Sequence, residues 1–240
     1  MLLVLGGVGL LVFAFVYSKL PRSGDPRIEA ALTVVGVDTG GSYAWVLKTA
    51  HGAALVDCGA DPQGSALLSE LSKQGLKAAD VHTVLLTHGH RDHWAACSLF
   101  AQARVYLGPG EAAYLRGEKK YGSLASLGEH LFTGLTLPSS LTELKGDETL
   151  DLDGEAVRVI AVPGHTQGSV VFLWNDLLFT GDALVGHGKG VSTAPSFFSD
   201  DSGQARASLE KLIALPFTRI ADGHTGLSCD ARQKLGRYLR

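Results

Sequence analysis

Charge is scarce in this chain. Only 19% of its 240 residues are Asp, Glu, Lys or Arg, and 24 acidic against 21 basic side chains leave a net charge of −3. No basic excess is available to track a phosphate backbone, so no nucleic-acid partner is expected. Cysteine is almost missing as well. Cys58, Cys97 and Cys229 are odd in number, far apart and contain no Cys-x-x-Cys pair. That pattern is not a disulfide framework. It fits a reducing compartment in which all three are small core residues.

One long uncharged run does occur. Residues 2–17 carry no charge, and Met1 and Leu20 extend the stretch if Lys19 snorkels. A basic n-region and an Ala-x-Ala-like site before Ser18-Lys19 are both lacking, which disfavours a cleaved signal peptide. The reading is an uncleaved single-pass membrane anchor at the N-terminus (1–20), with membrane contact through residues 2–17. Lys19, Arg22 and Arg27 follow the run, so the positive-inside rule puts the catalytic domain on the cytoplasmic side. Residues 21–30, with Pro21, Gly24 and Pro26, read as a linker. Residues 31–240 are ample for one domain with a sizeable core.

Within that domain β patterning dominates. Residues 33–37, 43–48, 53–57, 81–86 and 104–107 read as strands, as do 148–152, 155–162, 170–174, 177–180 and 218–221. Asp153-Gly154 is a hairpin signal. Helices are expected from Asp61-Pro62 to about Gln74, over 92–100, over 203–215 and over 231–239. Residues 108–146 mix apolar residues and glycines without a steady period and read as a variable insertion, with short helices over 111–116 and 126–132. No internal repeat is visible.

The most informative stretch is Thr87-His88-Gly89-His90-Arg91-Asp92-His93, directly after the apolar run 81–86. Crowding three imidazoles and a carboxylate at a strand end stabilises nothing unless a cation holds them. In an extended segment His88 and His90 project to one side and can reach one metal ion. Asp92 and His93 can face a second ion beside it. Three further polar residues follow strand patterns in glycine-marked turns: His165 after Pro163-Gly164, Asp182 after Thr180-Gly181, and His224 after Asp222-Gly223. Glycine permits the tight turn that points a side chain back over the strand ends. Five of nine histidines at such places is a metal-site pattern rather than a scatter of core histidines.

Taken in order, these motifs resemble the metallo-β-lactamase superfamily. The resemblance runs from about Val34 to His224 and rests on Val56-Asp57-Cys58-Gly59, the His-x-His-x-Asp-His cluster at 88–93, Gly164-His165-Thr166, Thr180-Gly181-Asp182 and Gly223-His224. It implies an α/β fold, the four-layer αββα sandwich, with the metal site at the ends of the two sheets. It also implies that His88, His90 and His165 hold one ion, that Asp92, His93 and His224 hold the other, and that Asp182 bridges them. Asp57 would support the ligands without binding metal. The implied cofactors are two Zn²⁺, with iron or manganese as substitutes.

The implied chemistry is hydrolysis of a small-molecule ester, thioester or lactone carbonyl by a metal-bridging hydroxide, with Asp92 as the catalytic proton acceptor. A phosphodiester hydrolase and a mononuclear iron oxidoreductase of the sulfur-dioxygenase type are the alternatives. The ligand set is glyoxalase-II-like. Only sixteen residues follow His224, too few for the glutathione-binding extension of those thioesterases. The bridging Asp182 argues against antibiotic hydrolysis. His187, in the glycine-rich loop 186–190, is a candidate substrate contact. The oligomeric state is open.

Overall fold

Alternation along the strands sets the layering of the fold. In Tyr43–Thr49, Trp45 and Leu47 belong to one apolar cluster, whereas Ala44 and Val46 belong to another. In Val170–Trp174 the same split separates Val170, Phe172 and Trp174 from Val171 and Leu173. Both strands are buried on both faces, which requires a layer on either side of each sheet.

A computed structural model describes residues 26–29, 32–123 and 134–240. The first sheet has the order β1 (Arg27–Glu29), β2 (Thr33–Asp38), β3 (Tyr43–Thr49), β4 (Gly52–Val56), β5 (Val81–Leu85), β6 (Arg104–Leu107) and β7 (Leu141–Glu143). The second is built from β8 (Thr149–Leu152), β9 (Glu155–Ala161), β10 (Val170–Trp174), β11 (Leu177–Gly181), β14 (Arg219–Asp222) and β15 (Leu227–Ser228), in the order β15-β14-β11-β10-β9-β8. A separate hairpin joins β12 (Val185–His187) to β13 (Gly190–Ser192).

The core between the sheets contains Val34, Trp45, Leu47, Val56, Val159, Phe172, Trp174 and Phe179. Outside the first sheet, Leu67 and Leu71 of helix α1 (Ser65–Lys73) join Val46, Leu55 and Val84. Outside the second, Ala231 and Leu235 of the last described helix, Ala231–Leu239, join Leu173, Leu178 and Ile220. Three stacked cores make the four-layer αββα arrangement expected from the resemblance.

Strand direction positions the site. β4 and β5 are parallel, and β11 is parallel to β14. β9 and β11 are both antiparallel to β10 and therefore share a direction. The segments that follow β4, β5, β9, β11 and β14 carry Asp57, His88–His93, His165, Asp182 and His224, all at the same end of their sheets. Cross-sheet backbone bonds lock that end: Val170 N donates to Thr87 O at 2.9 Å, and Tyr43 N donates to Gly223 O at 2.7 Å.

Several local expectations change. Helix α1 begins at Ser65, because Asp61 accepts from Gln63 N and Ser65 N and folds Asp61–Gly64 into a turn ahead of it. The helix expected over 92–100 is one turn, α2 (Arg91–Trp94), followed by a 3₁₀ turn at Cys97–Leu99. The helix expected over 203–215 is split into Ser202–Ser208 and a 3₁₀ segment, Glu210–Ala214. Arg27–Glu29, inside the presumed linker, pairs with β2 as an edge strand. The insertion contains helix α3 (Glu111–Leu115) and β7, whereas the helix expected over 126–132 lies outside the described residues. The anchor expected at 2–17 lies outside them too. Among the described residues no helix is long and apolar enough to cross a membrane.

The cysteine reading changes in two respects, although Cys58 and Cys97 do lie in the core as expected. Cys58 and Cys97 form a disulfide, and Cys229 is exposed rather than in the core. Spacing hid the pair: 39 residues separate its halves, and only the parallel β4–β5 crossover brings the end of β4 beside the segment after α2. A buried disulfide fits an oxidising compartment, contrary to the reducing one expected.

Candidate metal centre

Every residue of the predicted ligand set is brought to one place. His165 Nε2 lies 3.1 Å from His88 Nε2 and 3.0 Å from His90 Nδ1. Next to this trio, His93 Nε2 is 3.5 Å from Asp92 Oδ2, and His224 Nε2 is 3.7 Å from the same oxygen. Asp182 lies between the two groups. Its Oδ2 is 3.0 Å from His224 Nε2 and 3.6 Å from His165 Nε2, and its Oδ1 is 3.2 Å from His93 Nε2. Three sets could each hold an ion: His88, His90 and His165; His88, His93 and Asp182; and Asp92, His93 and His224. Except for the partly exposed Asp92, all seven are buried.

The chemistry of this donor set fits a cation. His165 Nε2 faces two other ring nitrogens at about 3 Å, and one ring proton cannot bridge both. Zinc–nitrogen bonds of about 2.0–2.1 Å in a tetrahedron place neighbouring nitrogens about 3.3 Å apart. His90 Nε2 and Asp92 Oδ2 are buried with no hydrogen-bond partner, a cost a closed core would not keep.

Hydrogen bonds behind the ligands set their tautomers. Asp57 lies in the left-handed region (φ 58°), which turns its carboxylate under the cluster. Its Oδ2 is 2.8 Å from His93 Nδ1 and accepts from Thr87 Oγ1 at 2.8 Å, while Oδ1 accepts from Thr87 N at 2.8 Å. With the Thr87 hydroxyl donating to Asp57, Thr87 Oγ1 can accept from His88 Nδ1, 3.1 Å away. His224 Nδ1 faces the Gly41 carbonyl at 3.0 Å, and a carbonyl can only accept. In each case the acceptor behind the ring fixes a proton on Nδ1, so Nε2 is the nitrogen turned to the cluster and the one that would give its lone pair to a cation. The backbone of Asp92 is held as well, because Ser42 Oγ donates to its carbonyl.

Burial and neighbouring charge divide the two groups. Burial lowers the His88 pKa well below the usual histidine range, helped by His93 and His165. It lowers His90 to about 3 and His165 to about 4. For His93 burial alone would also lower the pKa, but Asp92, Asp182 and Asp57 together raise it well above the ordinary value. His224 follows the same balance, with Asp182 the chief counterweight. Burial would raise Asp182, yet His224 and His93 hold it well below the carboxylate range. At neutral pH the first trio is neutral, and the second group forms charged pairs.

His187 is elsewhere. It is exposed in the β12–β13 hairpin, opposite Gly190, and belongs to none of the three sets. Several supporting residues escaped the sequence reading. Asp222 is fully buried and accepts from His224 N at 2.8 Å and Gly186 N at 3.0 Å, so it shapes the loop that carries His224. Its Asp-Gly-His context is an Asx-turn signal that could have exposed it. Gly223 allows that loop to close, since a Cβ there would lie 2.6 Å from Asp182 Oδ1 and from His93 Cε1. Glu111, buried in α3, had no such signal.

Comparison with known proteins agrees with this geometry. The chain is 34% identical over 193 residues to hydroxyacylglutathione hydrolase from Acidiphilium cryptum (strain JF-5), covering 80% of this chain and 67% of that protein. It is 31% identical over 186 residues to the enzyme of the same name from Halorhodospira halophila, covering 76% and 61%. The chain thus spans less than two thirds of the length of that second relative. Among solved structures, a metallo-beta-lactamase family protein from Thermus thermophilus superposes with a TM-score of 0.69 at 25% identity, covering 87% of this chain and 78% of that one. Residues 37–224 match the family profile of the metallo-beta-lactamase superfamily, and the chain belongs to that superfamily.

Proposed function

We propose that the chain is a metal-dependent hydrolase whose two ligand groups each hold one cation, zinc by preference, and that it cleaves an ester, thioester or lactone carbonyl of a small molecule. The observation that carries this reading is the place of Asp182, whose Oδ2 is 3.6 Å from His165 Nε2 in one group and 3.0 Å from His224 Nε2 in the other. A carboxylate so placed serves both groups at once. Cations bound there would lower the pKa of water to about 7 and polarise the scissile carbonyl.

The chain's own residues do the rest. His88, His90 and His165 offer three neutral donors, and Asp92, His93 and His224 offer a second set carrying negative charge. Asp57 fixes the rings of His93 and, through Thr87, of His88. Asp92, partly exposed with Oδ2 unbonded, is positioned to take a proton from the attacking water and return it to the leaving group. The name hydroxyacylglutathione hydrolase borne by the relatives supports a thioester-type carbonyl. The apolar run at 2–17 is proposed as a membrane anchor on its composition alone. The paired cysteines favour an oxidising side for the domain, whereas the flanking basic residues favour the opposite one.

The test is a panel of ester, thioester, lactone and phosphodiester substrates with metal-loaded protein, its chelated form and Asp92→Ala, alongside metal analysis. Two zinc ions per chain, carbonyl hydrolysis lost on chelation, and a kcat reduced about 10²–10⁴-fold in the variant are expected. One iron per chain with oxygen consumption, or full activity after chelation, overturns the proposal.

A further inference from the structure

Glu111 has no place in the ligand set, yet it is 0% exposed and ringed by donors from both loops of the three-histidine group. Its Oε2 accepts from Gly89 N at 2.7 Å, and Gly89 lies between His88 and His90. Its Oε1 accepts from Thr166 Oγ1 at 2.8 Å and Gly168 N at 3.0 Å, in the turn that begins at His165. The Tyr121 hydroxyl donates to Oε2 at 2.8 Å, and the Tyr121 ring meets the His90 ring edge-to-face with centroids 4.6 Å apart. Both loops close tightly on the carboxylate: a Cβ at Gly89 would lie 2.7 Å from Oε2, and one at Gly168 2.6 Å from Oε1.

We propose that Glu111 is a positioning residue for the His88–His90–His165 group, clamping the loop after β5 to the loop after β9 so that the three ring nitrogens converge. This rests on the metal reading above. Two of the four donors are backbone amides, one on each oxygen, and their direction cannot reverse. Only a group that accepts on both sides satisfies them, which a carboxylate does and an amide does not. Glu111→Gln keeps size and shape but sets an NH₂ against the Gly89 or the Gly168 amide, whichever way it is turned. The group formed by Asp92, His93 and His224 donates no hydrogen bond to Glu111 and is held instead through Asp57, Ser42 and Gly41. The effect therefore belongs to one metal position.

Competition with a chelating dye on the full chain separates the positions. Zinc affinity is measured with and without Glu111→Gln in two backgrounds: His224→Ala, which cripples the second group, and His90→Ala, which cripples the first. The expected loss is about 10–100-fold in the His224→Ala background and under about 2-fold in the His90→Ala background. Tyr121→Phe, which keeps the carboxylate and the ring but removes one donor, should give a smaller loss with the same dependence on background. It decides the matter if Glu111→Gln does not fold. Unchanged affinity in the His224→Ala background, or equal losses in both, overturns the clamp. An unsubstituted chain that binds no zinc sinks the metal reading and the clamp together, whereas two tight zinc ions unaffected by either substitution sink the clamp alone.

Discussion

Breaking the Cys58–Cys97 pair should destabilise the domain substantially. The disulfide closes a loop with a sequence separation of 39. On the chain-entropy account, closure of such a loop removes about 13 cal/mol/K from the unfolded ensemble, or about 4 kcal/mol at 25 °C. For a domain of this size that corresponds to a melting temperature lower by about 8–16 °C. Both cysteines are 0% exposed, so reductant reaches the bond only on unfolding, and substitution is the cleaner perturbation. Cys58→Ala, Cys97→Ala and the double variant should each lose nearly the same stability, because either single change already breaks the bond. Urea unfolding of the three variants reads this, together with a thiol count on denatured, unreduced protein. One reactive thiol per chain, Cys229, is expected. Three thiols per chain, or single-variant losses that simply add, would refute the reasoning and restore the reducing-compartment reading.

Two further predictions concern the centre itself. Asp57→Asn suits the left-handed backbone but faces either His93 Nδ1–H or Thr87 N–H with an amide NH₂. Forcing the His93 proton onto Nε2 blocks that ligand, so metal affinity should fall about 10–100-fold, measured by zinc competition; unchanged affinity argues against the tautomer role. Metal uptake should also release protons unequally. In metal-free protein the raised pKa values of His93 and His224 mean both hold protons below those values, so affinity for that group's ion rises with pH through and beyond the ordinary histidine range near about 6.5. The lowered values of His90 and His165, about 3 and about 4, leave those rings neutral across neutral pH, each with one ring proton and no second proton to release. Calorimetry in buffers of different ionisation enthalpy should then show one proton-linked and one proton-independent step, and two identical steps would contradict the division.

Much of the strand framework was legible because its apolar periods are local. Residues 104–107 and 231–239 are an element each, as read, and the hairpin at Asp153-Gly154 forms through its left-handed turn. Helix lengths were less legible. Asp61 places its side chain on the amides of Gln63 and of Ser65, the first residue of α1, rather than starting the helix at Pro62, and α2 stops after one turn. Apolar pattern does not register such competition from side-chain hydrogen bonds and neighbouring strands. The seven clustered side chains could be found because glycine-marked turns after strands are a local signature.

The order of amino acids already restricts which residues can form the centre, since imidazoles and carboxylates set at strand ends have few other uses. Strand alternation likewise dictates the layered α/β fold. Three pairings appear only once the chain is folded: Cys58 meets Cys97, Asp57 stands behind His93, and Glu111 ties the His88–His90 loop to the loop of His165. Those partners are 39, 36, 22 and 55 residues apart in the chain, and although the motif at Asp57 marked it as a support for the ligands, nothing local names the residue each of them meets. They meet because parallel strands and two facing sheets bring distant turns to one end of the molecule, and a buried donor or acceptor must find its partner there.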